Sequence, residues 1–232
     1  MNYISHYLSL INASHPITSQ LHLNLSTIQR HYDPIQLDTI ALNQLLNCLK
    51  QCQRNEDIAL ISGYRSHQEQ INLYNQSSRD NGVEYTTKYV AKPGCSEHES
   101  GLAIDIGDVM DTIDFIAPQL RYNQSNNLLR QCLFDHGFIQ RYPAHKLDIT
   151  GIDHEPWHFR YVGYPHSAYM QQYDLVLEEY IHQLKQTSID HPLIYQDYII
   201  YATKIMDKFT LATSEVSESN DGFYIVTTKI HD

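Results

Sequence analysis

The feature that most constrains this chain is a change of hydrophobic period within one short stretch. Ile40, Ala41, Leu45, Cys48, Leu49 and Cys52 recur at spacings of three and four, and then Ile58-Ala59-Leu60-Ile61 forms an unbroken apolar run between polar residues. The first spacing marks one face of a helix and the second the length of a buried strand. A helix over about 37–54 is therefore expected to feed a strand at 58–61. Ser62-Gly63-Tyr64-Arg65 ends that strand. Ser66 followed by Glu69 is a capping box, in which the hydroxyl accepts the amide three residues on and the carboxylate reaches back, so a helix over 67–80 is expected.

The rest of the chain extends the pattern. Residues 81–94 are polar, end in Pro93-Gly94 and read as a loop. Leu102 to Ile106 reads as a strand, and Asn123 to His136 as a helix stopped by Gly137. Phe138–Tyr142 and Trp157–Val162 alternate or nearly alternate, as strands do, and 167–185 is helical with a break near Asp174. Residues 1–35, polar and turn-rich, are expected to wrap over the core as an arm. The expected class is α+β, helices packed on a small, largely antiparallel sheet.

From Thr187 the composition turns β-rich. Tyr198–Tyr201, Phe209–Leu211 and Phe223–Thr227, with Asn220-Asp221-Gly222 as a tight turn, suggest a three-stranded C-terminal meander. Two regions follow, a main domain at 1–186 and a small β-rich extension at 187–232. The extension is too small to stand alone comfortably and is expected to dock on the main domain or, as an oligomer contact, on another subunit.

Length and charge exclude several function classes. A chain of 232 residues supports one main core with an appendage. With 16 Lys+Arg against 27 Asp+Glu, the net charge of −11 disfavours a nucleic-acid partner. No run approaches the ~18 apolar residues of a membrane span, so no integral membrane segment is expected. The N-terminus lacks a basic lead and an apolar stretch, which points to a cytoplasmic setting. The four cysteines are too sparse for a disulfide framework and read as reduced, partly buried thiols.

Among 14 histidines, two have carboxylates at telling offsets: His98 with Asp105 seven residues on, and His158 with Glu155 three before. Imidazole nitrogen and carboxylate oxygen are the donors Zn²⁺ takes at catalytic sites, where three protein ligands leave one position open. His98, Asp105 and His158 supply that count. Glu155 is then a polar group placed to take a proton from an attacking water. An offset of three in a regular strand would send Glu155 and His158 to opposite faces, so the chain must break between them, and Pro156 provides the break. Gly94 and Gly101 bracket His98, which suits a turn over the strand carrying Asp105. On residue types alone, satisfied histidines beside an acidic surface stay open as the alternative.

The motifs are more specific than the residue types. Ser96-Glu97-His98-Glu99-Ser100-Gly101-Leu102-Ala103-Ile104-Asp105 matches the pattern S-x-H-x-x-G-x-A-x-D, and Glu155-Pro156-Trp157-His158 matches E-x-W-H. Both patterns resemble the zinc D-alanyl-D-alanine peptidases of vancomycin resistance, the VanX, VanY and VanXY enzymes. Ser62-Gly63-Tyr64-Arg65-Ser66, with Gln70 five after the arginine, is similar to that family's substrate-carboxylate segment. The resemblance covers roughly residues 8–186 and is nearest to the bifunctional VanXY type.

The resemblance implies that His98, Asp105 and His158 ligate Zn²⁺ and that Glu155 is the general base. Arg65 would carry charge on the scissile carbonyl or hold the substrate carboxylate, and Gln70 and Ser96 would grip the D-Ala end. Arg65 also has a plainer reading, an ion pair with Glu69 at the helix edge. The implied substrates are the D-Ala-D-Ala dipeptide and peptidoglycan precursors ending in D-Ala, whose cleavage depletes the glycopeptide target. Within the same chemistry, an L,D-carboxypeptidase or a peptidoglycan endopeptidase is the rival. Outside it stand a non-catalytic zinc-containing binding protein, which has no need of Glu155, and a structural zinc protein, which would favour more cysteine. Loops at 81–94 and 107–122 are expected to shape the pocket.

Overall fold

The structure, a computed structural model, describes residues 4–18, 21–54, 56–205 and 208–230. It forms two compact units, Ile11–Ala168 and Met1–Leu10 with Tyr169–Asp232. No helix among the described residues is long and apolar enough to cross a membrane.

The larger unit begins with β1 (Leu25–Ile28), β2 (Ile35–Asp38), α1 (Thr39–Gln51), β3 (Ile58–Ser62), α2 (His67–Asp80) and α3 (Val83–Tyr89). It continues through β4 (Ala103–Asp108), α4 (Gln124–Asp135), β5 (Phe138–Tyr142), α5 (Leu147–Thr150) and β6 (Glu155–Tyr161) to the start of α6 (His166–Gln172). β1 and β2 pair with each other, while the central sheet is antiparallel in the order β3-β4-β6-β5. The α+β reading therefore holds.

Local chemistry accounts for these elements. Asp38 caps α1 by accepting from the amides of Ile40 and Ala41, which starts the helix at 39 and leaves 35–38 as a strand rather than helix. The periodic face of α1 (Ala41, Leu45, Cys48, Leu49) is buried, and α1 packs on α4. The Ser66–Glu69 capping box forms as read. α4 ends before Gly137 as expected. β3 and β4 lie at the core, with Ile58, Ala59, Ala103, Ile104 and Ile106 fully buried.

The loop expected at 81–94 instead contains α3. Three β-branched residues, Val83, Thr86 and Thr87, give that segment weak helix propensity. Specific contacts hold it: Thr86 shares a buried 2.8 Å hydroxyl bond with Ser77 of α2, and the Tyr85 and Tyr89 rings lie 4.9 Å apart. The helical stretch expected at 167–185 breaks near Asp174 as read, into α6 and α7 (Leu177–Leu184), with Asp174 between them at a φ of 50°.

The second unit adds β7 (Leu193–Tyr195), β8 (Tyr198–Thr203), α8 (Lys208–Thr213), β9 (Glu215–Glu218) and β10 (Tyr224–Lys229), in a four-stranded sheet ordered β7-β8-β10-β9. The three-stranded meander is thus corrected: 209–211 is helical, and both edge strands, Leu193–Tyr195 and Glu215–Glu218, went unread. In Glu215–Glu218 Val216 is the one buried apolar residue and polar pairing supplies the rest, which is why hydropathy missed that edge. Ser5 donates its amide to the Val216 carbonyl (2.9 Å), and the Ser217 hydroxyl accepts from the Leu8 amide (2.9 Å). Residues 4–10 therefore belong to this sheet's unit and not to an arm over the main core, and Met1–Tyr3 of that reading lie outside the described residues.

Two predictions follow from the packing. A Cβ added at Gly63 would fall 2.2 Å from the Gln36 carbonyl oxygen, a backbone atom that cannot swing away. Gly63→Ala is expected to cost about 1–3 kcal/mol in urea unfolding, and an unchanged midpoint would contradict the close approach of β2. His166 is 5% exposed, and burial pushes its pKa down to about 3. The folded state thus keeps it neutral while the unfolded chain protonates it below its ordinary value near 6.5. Stability is lost as pH falls through that window, by about 2 kcal/mol between pH 7 and pH 5. His166→Gln should remove this loss, and equal losses in both proteins would refute the assignment.

Candidate metal centre and active site

The site is assembled on the two inner strands of the central sheet. Asp105 of β4 and His158 of β6 are direct cross-strand partners, so their side chains leave on one face. His158 Nδ1 lies 3.0 Å from Asp105 Oδ1. His98 comes from a 3₁₀ turn, Glu97–Ser100, closed by Gly101 at φ 71°. Its Nε2 lies 3.2 Å from Asp105 Oδ2. One donor atom from each of His98, Asp105 and His158 lies within 4.8 Å of the others, and all three residues are buried. The sequence positions chosen for the metal are thus brought together.

The donor set fits a zinc-type cation. His98 Nδ1 donates to the Gly63 carbonyl (2.7 Å), which leaves the Nε2 lone pair facing Asp105. His158 Nε2 faces Glu97 Oε2 (3.4 Å), which leaves Nδ1 for the same centre. Asp105 Oδ1 is buried with no hydrogen-bond partner among the described residues, since the nearby Nδ1 approaches outside bonding geometry. A buried carboxylate oxygen left unpaired between two imidazoles is costly unless a cation satisfies it.

The electrostatics agree. Burial would lower the pKa of His158, but Asp105 and Glu97 outweigh it and raise the ring to about 10. Burial would raise Asp105, yet the two imidazoles hold it well below the usual carboxylate range. Burial dominates at His98 and lowers it. Burial also raises Glu155, to about 8, against the opposing pull of His158 and with help from Asp105 and Glu97. The pocket therefore gathers acids that favour positive charge at its centre.

The expected break between Glu155 and His158 is a register shift. β6 stays a strand through Pro156, but its pairing with β5 slips between Gln140↔Phe159 and Tyr142↔Glu155. The slip turns Glu155 toward His158, with Oε2 3.6 Å from Nδ1.

Arg65 donates to Gln70 Oε1 (2.7 Å) and Ser62 Oγ (2.8 Å), while Gln70 donates to the Ala91 carbonyl (2.7 Å). Glu69 caps α2 instead, so the edge ion pair is not what Arg65 makes. Burial lowers the Arg65 pKa, and Asp105, Glu69, Glu99 and Glu155 oppose that shift, so the guanidinium stays charged. Arg65, Gln70, Ser96 and Glu155 line one cavity of about 40 Å³ with the metal-type residues, and Tyr89-Val90 and Phe115-Ile116 line it too. Both stretches lie in the segments expected to shape the pocket.

Three site residues escaped sequence reading. Glu97 is buried and takes hydrogen bonds of 2.8 Å from both Arg141 Nε and Arg160 Nη1, and neither arginine side chain is exposed. The alternation of apolar and polar residues reads such arginines as solvent-facing, and only the place of Arg160 on the strand of His158 and of Arg141 on the strand beside it offered a signal. A second cluster, Cys48, Cys52 and Cys132, also brings its sulfurs within 4.8 Å. It sits where α1 meets α4, and burial with mutual proximity pushes Cys48 and Cys132 up, in keeping with reduced thiols.

Comparison with known proteins agrees with this geometry. The sequence profile of the VanY family, D-alanyl-D-alanine carboxypeptidase, matches residues 34–164. The chain is 41% identical over 184 residues to the bifunctional D-Ala-D-Ala dipeptidase and D-Ala-D-Ala carboxypeptidase VanXYC of Enterococcus gallinarum, covering 78% of this chain and 96% of that protein. Its structure resembles the vancomycin resistance D,D-dipeptidase VanXYg, solved with a D-Ala-D-Ala phosphinate analog, with a TM-score of 0.89 and 35% identity over 96% of this chain and 93% of that one. It also resembles a variant of the D,D-pentapeptidase VanY from a VanB-type resistance cassette in complex with Zn(II), with a TM-score of 0.64 and 29% identity over 75% and 98%. Sequence, fold and site geometry thus converge, and the chain belongs to the VanY family of D-alanyl-D-alanine carboxypeptidases.

Proposed function

We propose that this chain is a zinc D,D-peptidase that hydrolyses D-Ala-D-Ala and removes the terminal D-Ala from peptidoglycan precursors, acting in the cytoplasm and depleting the glycopeptide target. The observation that carries the reading is the convergence of His98, Asp105 and His158 beside Glu155 in one cavity with Arg65. His98 Nε2, Asp105 and His158 Nδ1 would hold Zn²⁺, which when bound supplies Lewis acidity and makes hydroxide accessible near neutral pH.

The chain's own groups do the rest. Glu155 accepts the proton of the attacking water and returns it to the leaving D-Ala amine, a role suited to a carboxylate that lines the cavity with Oε2 3.6 Å from His158 Nδ1. Arg65, held from two sides by Gln70 and Ser62, offers its charge to the substrate carboxylate or the developing oxyanion. Gln70 and Ser96 complete the grip on the D-Ala end. Residues 1–186 are proposed as the peptidase domain, of which the compact unit Ile11–Ala168 carries every residue of the site, and 187–232 as a stabilising extension or subunit contact.

Glu155→Ala is expected to retain one zinc and lose on the order of 10²–10⁴ in kcat, while His158→Ala loses the metal itself. Metal analysis with D-Ala release checks both, and near wild-type turnover by the Glu155 variant would remove it from the mechanism. Arg65→Met should keep zinc and lose about 10²–10³ in kcat/KM, and an unaffected rate would leave Arg65 with only a packing role. Release from D-Ala-D-Ala, from a pentapeptide and from a tetrapeptide separates the readings. Cleavage of the tetrapeptide alone marks an L,D-carboxypeptidase, and binding without cleavage marks a non-catalytic zinc protein.

A further inference from the structure

Glu97 is a buried carboxylate near the centre that the proposed chemistry leaves without a task. It is 1% exposed and precedes His98 in the 3₁₀ turn. Its Oε1 takes hydrogen bonds from Arg141 and Arg160, and its Oε2 faces His158 Nε2 at 3.4 Å. The sheet explains the meeting. His158 and Arg160 are two apart on β6 and share a face. Ile139 of β5 pairs with Arg160, which brings Arg141, two further along β5, to the same side. The buried face of the sheet thus presents an imidazole and two guanidiniums to one carboxylate.

We infer that Glu97, clamped by Arg141 and Arg160, is the positioning residue for the metal centre: it takes the Nε2–H of His158, fixes that ring's tautomer and aims Nδ1 at the position shared with Asp105 and His98. The inference rests on the reading of these three residues as the zinc ligands. A carboxylate free to rotate would let the imidazole turn, whereas one bonded twice to buried arginines has a single orientation to offer. The device also links the two histidines, because the turn that carries His98 as a ligand carries, one residue earlier, the group that orients the other.

The role is separable from stability. Zinc affinity is read by chelator competition, ligand geometry by the d–d spectrum of the Co²⁺-loaded protein, and folding by urea unfolding of the metal-free protein. Glu97→Gln keeps an acceptor for His158 but leaves two buried arginines without their carboxylate, so its stability and its zinc affinity change together. Glu97→Asp keeps the charge in place and withdraws the carboxylate by one methylene. In Glu97→Asp the expected result is a cooperative metal-free transition, zinc binding weakened about 10- to 100-fold and a shifted Co²⁺ spectrum. Loss of exchange protection at the His158 Nε2–H in zinc-loaded Glu97→Asp, measured by NMR, would support the same assignment. A folded Glu97→Asp with zinc affinity within twofold of wild type and an unchanged Co²⁺ spectrum would overturn it. A wild-type protein that binds no stoichiometric zinc would overturn the ligand reading itself, and a wild type that binds while His158→Ala does not leaves that reading standing whichever way Glu97 falls.

Discussion

The site depends on the pairing of β4 with β6. That ladder sets Asp105 opposite His158 and stops at that pair, so ordered backbone hydrogen bonding delivers the two donors to one face and then releases β6 to turn. Everything else converges on this edge. The slipped register of β6 against β5 turns Glu155 inward, and the irregular pairing of β3 with β4, where Ser62 lies opposite Asp105, sends the following chain over the pocket to place Arg65. Without the ladder, three buried ionisable side chains would have no reason to share one volume, since burying each separately costs far more than burying them paired.

A protein with an excess of acids nonetheless buries arginines at its centre. Arg141 and Arg160 are fully buried beside Glu97, and Arg65 lies across the cavity among carboxylates. The distribution separates two tasks. One pair of guanidiniums holds a carboxylate still in the interior, and a single guanidinium is left facing the cavity, where a ligand with a free carboxylate would meet it.

Much of this was legible in the sequence, and what was not has physical causes. α1, β3 and α2 could be read because period, apolar run and capping box agree on one answer. His98, Asp105, Glu155 and His158 could be read because their spacing matches motifs of known chemistry, and the turn at Gly101 has the left-handed backbone such spacing needs. α3 escaped because side-chain hydroxyls and tyrosine packing, not propensity, hold it. β9 escaped because serines and backbone pairing, with Val216 its one buried apolar residue, fix it. Glu97 escaped because its partners are 44 and 63 residues away, and no local pattern announces a buried charge whose compensation is that remote.

The central claim is that two imidazoles and one carboxylate of this chain hold one zinc ion with a position left for water. X-ray absorption at the zinc edge of the stoichiometrically loaded protein measures those ligands directly. Only nitrogen and oxygen neighbours are expected, at about 2.0–2.2 Å, with the multiple-scattering signature of two imidazoles. A sulfur neighbour at about 2.3 Å, or a shell filled by four protein ligands, would contradict it.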